Sequence, residues 1–302
     1  MPDSSPPPER RARRGPLLAA AVLVPCLLAA WLLGRPTGDG ATSTSPPADR
    51  GAPASPDTSP DAHPEGSPSG RPSGDARPLA GTVVVLDPGH NPHNRDHPQQ
   101  IARPVDIGTG SKECDTTGTA TDAGYPEAAF TLAVTRRARA LLEERGARVV
   151  LTHDGDRPWG PCVDERARIG NREHADAVVS VHADGASVGS RGFHVILPAR
   201  VRGGAADTAR IVGPSRRLGD ELATAFREAT GSSPASYVGG GDGVTTRSDL
   251  GGLNLTRVPK VFIECGNMRD PEEADRLTDP RWQDRAARGI ANGITAFLAS
   301  RP

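Results

Sequence analysis

Two histidines and two glutamates, far apart along the chain, have the types and settings that zinc hydrolysis needs. His90 follows the apolar run Val83–Asp87 (VVVLD) within Asp87-Pro88-Gly89-His90, His182 ends the run Ala177–His182 (AVVSVH), and Glu264 ends Lys260–Glu264 (KVFIE). Glu127 comes directly after Pro126, at the head of an amphipathic stretch. Two histidines and one carboxylate make the donor set of a catalytic zinc site, with the fourth position left to water. A second carboxylate outside that set can take the water's proton and pass it to a leaving amine. On this reading His90, Glu127 and His182 hold Zn2+ and Glu264 is the general base and acid. Each residue alone has a plainer meaning: a strand-end histidine is commonly structural, Glu127 is an acid favoured by a helix dipole, and Glu264 is a buried ion-pair partner. Asp87 either orients His90 as a hydrogen-bond acceptor or caps the turn.

The elements that must position these residues decide between the readings. Val83–Asp87, Ala147–Thr152, Ala177–His182, Gly192–Leu197 and Lys260–Glu264 read as strands; Pro126–Arg145, Val163–Ala175, much of Ala209–Thr230 and Arg281–Ala299 read as helices. In Pro126–Arg145, proline suits the first turn, Phe130, Val134, Ala138 and Leu141 share a face, and Gly146 ends the helix. Strands alternating with helices imply an α/β domain whose mostly parallel, twisted sheet carries helices on both faces. Sites in such sheets form beyond the carboxyl ends of the strands. His90, His182 and Glu264 all stand at that edge, and the helix after the first strand begins there too, with Glu127 in its first turn. Four separate segments therefore converge on one place.

Only part of the chain can build that domain. Arg10, Arg11, Arg13 and Arg14 precede an apolar run from Leu17 to Leu33, a basic head and apolar core typical of an export signal. The run is long for a cleaved signal, short for a spanning helix and followed by no clean Ala-x-Ala site, so an uncleaved anchor over residues 1–34 is favoured. Residues 35–78, rich in Pro, Ser, Gly, Asp and Thr, form a disordered tether. The folded domain spans 79–302. With a formal net charge of −1, the chain gives no sign of a nucleic-acid partner.

Four segments carry a family resemblance. LDPGHN at Leu86–Asn91, PEAAFTLAV at Pro126–Val134, SVHADGA at Ser180–Ala186 and GLNLTRVPKVFIECGNM at Gly252–Met268 resemble the zinc-dependent N-acetylmuramoyl-L-alanine amidases of the amidase-3 type, the last segment being most like actinobacterial members. The resemblance implies the same zinc ligands, His90, Glu127 and His182, and the same catalytic acid, Glu264. It also implies the substrate, the amide joining N-acetylmuramic acid to L-alanine in peptidoglycan, and an extracytoplasmic place of work. The sequence departs from the family where Cys265, Gly266, Asn267 and Met268 follow the glutamate in place of Gly-Phe-x-x-Asn, and where Asn254 replaces an arginine common in members. Two other readings stand beside this one: a zinc peptidase acting within the stem peptide, and a non-catalytic wall-binding regulator.

The remaining candidates are weaker. His153 also ends a strand and competes for a ligand role; His174 and His194 read as structural. His93, Asp96 and His97 read as a solvated loop sooner than a second metal site. The long segment from Asn91 to Tyr125 is expected to flank the substrate groove, and Tyr237 with Gly239–Gly243 forms a connector that could border it. Cysteine use fits export: a Cys114–Cys162 disulfide is expected, the alternative being free thiols at both and at Cys265. A monomer is expected.

Overall fold

A computed structural model describes residues 77–301. The basic head and apolar run, with Cys26, and all but the last two residues of the expected tether lie outside the described residues. No helix among the described residues is long and apolar enough to cross a membrane.

Six strands form the central sheet: β1 (Val83–Pro88), β2 (Arg148–Leu151), β3 (Ala177–Asp184), β4 (His194–Pro198), β5 (Val244–Arg247) and β6 (Lys260–Asn267), in the order β2-β1-β3-β6-β4-β5. The first four in that order run parallel, whereas β4 pairs antiparallel with β6 and carries β5 parallel to itself. The long helices are α1 (Glu127–Glu144), α2 (Val163–Arg172), α3 (Val212–Thr230), α4 (Pro271–Thr278) and α5 (Pro280–Ala299). The mostly parallel α/β sheet with helices on both faces is thus the architecture read from the sequence. Strand β5 and helix α4 were not anticipated. β5 has four residues, two half-exposed and two exposed, directly after a glycine run, too short and too polar to signal a strand. α4 is marked by Asp270-Pro271, the aspartate accepting from Glu272 N and Glu273 N and the proline occupying the first turn.

Side-chain alternation along the strands divides the molecule. Val84 and Leu86, Val179 and Val181, Val261 and Ile263, and Val195 and Leu197 point into a large apolar core against Phe130 and Val134 of α1, Leu222 and Phe226 of α3, and Trp282, Ile290 and Ile294 of α5. Gly289 and Gly293 bring α5 close to α3, since a Cβ at either would meet the backbone of Phe226 at 2.8 Å or of Leu222 at 2.6 Å. The opposite face has a small apolar patch, Val85 and Val178 against Ile169 of α2 and Ala175. Beyond that patch, towards the strand ends, the same face carries Asp87, Ser180, His182, Lys260, Phe262 and Glu264.

Candidate metal centre and catalytic groove

Backbone geometry brings the donors together. His90 leaves β1 with a φ of +61°, a left-handed conformation that non-glycine residues rarely adopt and that clusters at functional sites. Gly89 must lack a side chain, because a Cβ there would lie 2.4 Å from the His182 ring. Gly118, at φ +73°, closes the other side; a Cβ would fall 2.6 Å from His90 Cδ2 and 2.7 Å from Glu127 Oε2.

One ligand atom from each of His90, Glu127 and His182 lies within 4.8 Å of the others. His90 Nε2 is 3.2 Å from Glu127 Oε2, and His182 Nδ1 is 2.9 Å from Glu127 Oε1. His90 Nδ1 meets the Thr116 carbonyl at 3.0 Å, which fixes the tautomer that leaves Nε2 free to ligate. Glu127 is held by the backbone, Oε2 accepting from Thr119 N at 2.9 Å and Oε1 from Ala183 N at 3.2 Å. His182 stacks on Phe262, ring centroids 5.2 Å apart. Burial opposes a charge on His90, but Glu127 and Asp115 push its pKa up to about 10. Burial would raise Glu127, yet His90 and His182 hold it well below the usual carboxylate range.

Glu264 stands directly beside His182 in the β3–β6 register and beside His194 in the β6–β4 register. It is half-buried with its Oε2 buried and without a hydrogen-bond partner, and desolvation with the charges of Glu127 and Asp184 pushes its pKa well above the usual value. His90, Glu127, His182, Asp184, Arg247 and Glu264 line one crevice of about 320 Å³. A second hollow of about 470 Å³ continues from His90, His182, Leu250 and Phe262 towards Lys112, Val163 and Gly251. The two share those four residues and make one groove across the donors.

Asp87 occupies a different place from the one expected. It does not reach His90; it accepts from Lys260 Nζ at 3.0 Å, Arg166 Nη1 at 2.8 Å, Thr152 Oγ1 at 2.7 Å and Ser180 Oγ at 2.8 Å. The parallel register sets Asp87 against Ser180, so its carboxylate points between strands instead of along β1 to the histidine. Asp115 and Thr116 stand behind His90 instead, with Asp115 Oδ1 at 3.6 Å from Nδ1 and Oδ2 accepting from Arg166 Nη2 at 2.8 Å. Arg166, Asp115 and Lys260 were missed from the sequence. The available signal was a charged residue at an inward strand position, Lys260, together with an arginine on the buried side of α2.

The other expectations resolve individually. Cys114 and Cys162 form the disulfide, next to Asp115 and at the start of α2, while Cys265 is a buried thiol turned into the apolar core. His153 is outside the donor cluster, with Nε2 at 3.1 Å from the Pro88 carbonyl and Nδ1 accepting from Gly155 N at 3.2 Å. His93, Asp96 and His97 join no metal-binding group among the described residues. The segment 104–113 forms a two-stranded hairpin beside the groove, fastened by Asn254 Nδ2, which donates to Thr109 Oγ1 at 3.0 Å and to the Ser248 carbonyl at 2.8 Å. Asn254 therefore fastens the groove wall. Tyr237 donates to Asp184 Oδ2 at 3.0 Å, at the other end of the crevice.

Residues 84–296 match the sequence profile of the amidase-3 family, described as N-acetylmuramoyl-L-alanine amidase. The chain is 39% identical over 228 residues to an N-acetylmuramoyl-L-alanine amidase of Mycobacterium tuberculosis, covering 74% of this chain and 89% of that one. The crystal structure of the N-acetylmuramyl-L-alanine amidase Ami1 from Mycobacterium smegmatis superposes with a TM-score of 0.67 at 41% identity, covering 74% of this chain and 99% of that one. The amidase AmiC2 of Nostoc punctiforme, at 22% identity and a TM-score of 0.54 over 73% of this chain and 98% of that one, shares the fold.

Proposed function

The chain belongs to the amidase-3 family of N-acetylmuramoyl-L-alanine amidases, and on that premise we propose that His90, Glu127 and His182 bind zinc and that Glu264 is the base and acid for hydrolysis of the bond between N-acetylmuramic acid and L-alanine. The observation that carries this reading is the meeting of two imidazoles and a carboxylate within 4.8 Å at the carboxyl edge of the sheet. Nitrogen and oxygen donors in this ratio suit zinc and leave a position open. Zinc, when bound, supplies Lewis acidity to the substrate carbonyl and lowers the pKa of a water molecule to about 7.

The protein's own groups do the rest. Thr116 and the backbone donors at Thr119 and Ala183 keep His90 and Glu127 in ligating orientation. Glu264 presents an unpartnered Oε2 in the crevice that holds the donors, placed to accept a proton from water and return it to the leaving amine nitrogen. Phe262 and Leu250 give both hollows an apolar lining beside the donors. The whole chain reads as a monomer working outside the cytoplasm, with an export or anchor segment over 1–34, a tether over 35–78 and the amidase domain over 79–302.

Mass analysis of digested peptidoglycan tests the reaction. Released peptides beginning with free L-alanine support the amidase, cuts within the stem would make the protein a peptidase, and no release from zinc-loaded protein would make it a binding module. For the residue roles, Glu264→Gln should cut turnover by about 100- to 10,000-fold while zinc content is unchanged. His182→Ala should lose most of its zinc. Metal loss in the first variant, or full zinc in the second, would overturn the assignment.

A further inference from the structure

Strand pairing sets beside Glu264 a buried polar group that the proposed reaction leaves unused. β4 runs antiparallel to β6, and His194 is the residue directly opposite Glu264. The next pair in that register, Val195 opposite Ile263, points into the large apolar core. Alternation therefore turns His194 and Glu264 to the other face together, where directly opposed residues bring their Cβ atoms to about 5 Å. His194 is 5% exposed, and its Nδ1 is buried without a hydrogen-bond partner. Glu264 Oε2 is buried and unpartnered in the same way. The other such atoms among the described residues, on Thr135, Asp164, Asn254 and Trp282, all lie on helices. An unpaired buried polar atom costs about 1–3 kcal/mol, so two of them on facing residues call for a reason.

The imidazole is held in place and kept neutral. Tyr237 meets it edge-on, ring centroids 6.1 Å apart, and is itself anchored by its hydrogen bond to Asp184. The charges of Asp184 on β3 and Arg247 on β5 act on it in opposite senses, and burial lowers its pKa. A neutral imidazole has one nitrogen that donates and one that accepts, in either tautomer. Glu264 needs such a neighbour, because it changes protonation state in every turnover: it takes a proton from water and returns it to the leaving amine. A lysine or arginine in that place would hold the carboxyl ionised, and a backbone carbonyl would hold it as the acid. An imidazole can donate to the carboxylate and accept from the acid.

We infer that His194 is the positioning residue of Glu264, its Nδ1 bonding one oxygen of the carboxyl when substrate fills the crevice and leaving the other to carry the proton. This rests on the amidase reading, which makes Glu264 the base and acid. The two atoms are not yet in bonding geometry; catalytic hydrogen bonds are often long until substrate is bound. His194 thus does more than fill space under the crevice. It fixes the direction of a carboxyl whose buried oxygen has no other protein partner.

The test uses the zinc-loaded protein with soluble, uncross-linked peptidoglycan as substrate. His194→Phe keeps a ring of similar shape and removes both nitrogens. Its zinc content and Tm should match the wild type, since the substitution removes an unpaired buried nitrogen, and KM should stay within about two-fold. kcat should fall by about 10- to 100-fold, the effect of a misdirected catalytic group. His194→Asn, whose amide can donate or accept near the place of Nδ1, should regain most of that rate. In a Glu264→Gln background, His194→Phe should add no further loss, because it acts through the glutamate. A kcat within about two-fold of the wild type in His194→Phe, an Asn variant no better than the Phe variant, a full added loss in the Glu264→Gln background, or loss of zinc or of fold in His194→Phe would each overturn the inference and leave the amidase reading standing. Full turnover by Glu264→Gln, or no peptide release by the wild type, would remove both.

Discussion

The two faces of the sheet are built on opposite physical terms, although the same strands supply both. One face meets α1, α3 and α5 through aliphatic and aromatic side chains, with Leu222, Phe226 and Ile290 fully buried. The other buries Lys260, Asp87, Arg166 and Asp115 in a chain of ion pairs, at 3.0 Å for Lys260–Asp87 and 2.8 Å for each Arg166 contact. Apolar contact is non-directional and stabilises whatever shape excludes water. Buried ion pairs cost desolvation and give little net stability, but they have direction. Here the chain of pairs ends behind His90, so the polar face holds a ligand in place while the apolar face holds the fold.

That division can be broken experimentally. Arg166→Met leaves Asp87 with Lys260 alone and Asp115 with only the His90 ring beside it, and should destabilise the domain by about 3–5 kcal/mol. It should also weaken zinc binding by about 10- to 100-fold, the usual consequence of losing a group that orients a ligand. Denaturant unfolding and zinc competition titration read the two effects. Leu222→Ala should cost about 2–5 kcal/mol with zinc affinity unchanged. If the leucine variant weakens zinc as much as the arginine variant does, the faces are not separate in function. Next in size, Cys114→Ser with Cys162→Ser should cost about 2–4 kcal/mol and loosen zinc, because the disulfide joins the residue before Asp115 to the start of the helix bearing Arg166. Unchanged zinc affinity in that double variant would limit the disulfide to a stabilising clasp.

The same contrast explains what the sequence revealed. The apolar face was legible because period-two and helical patterns in VVVLD, AVVSVH, KVFIE and the helix after Pro126 signal burial directly. The four candidate active-site residues were legible because a parallel sheet collects its strand ends at one edge, and the β3–β6 register, Glu264 beside His182, follows from that. The polar network was not legible, because Arg166, Asp115 and Lys260 acquire their meaning only from one another across three segments. Nearness in sequence offered Asp87 either His90 or the turn as partner, whereas the register turns it to Ser180 and Lys260. The antiparallel turn to β4 and the short strand β5, which brings Arg247 to the crevice, leave no periodic trace in so few residues.

The smallest effect expected is a titration confined to the polar face. His153 is buried and neutral: Nδ1 accepts from Gly155 N, so Nε2 carries the proton and donates to the Pro88 carbonyl. Burial, with the positive charge of Arg166, lowers its pKa from 6.5 to about 4. Protonating Nδ1 would forfeit the Gly155 bond and set a cation beside Arg166. A histidine depressed in the folded state contributes stability that is whole above its unfolded pKa and is lost as pH falls from 6.5 towards 4. The loss should amount to about 1–3 kcal/mol. His194, also lowered by burial, contributes with the same sign. His90 is the same in wild type and variant, so its own contribution cancels in their difference. Asp87 and Asp115 lie below 3.8 and titrate beneath that window. The difference in Tm between wild type and His153→Gln, followed from pH 7 down to about 4.5, therefore isolates His153. The variant should lie below the wild type at neutral pH and converge on it as the pH falls. Parallel curves would mean that His153 keeps an ordinary pKa and that the polar face tolerates a further buried cation.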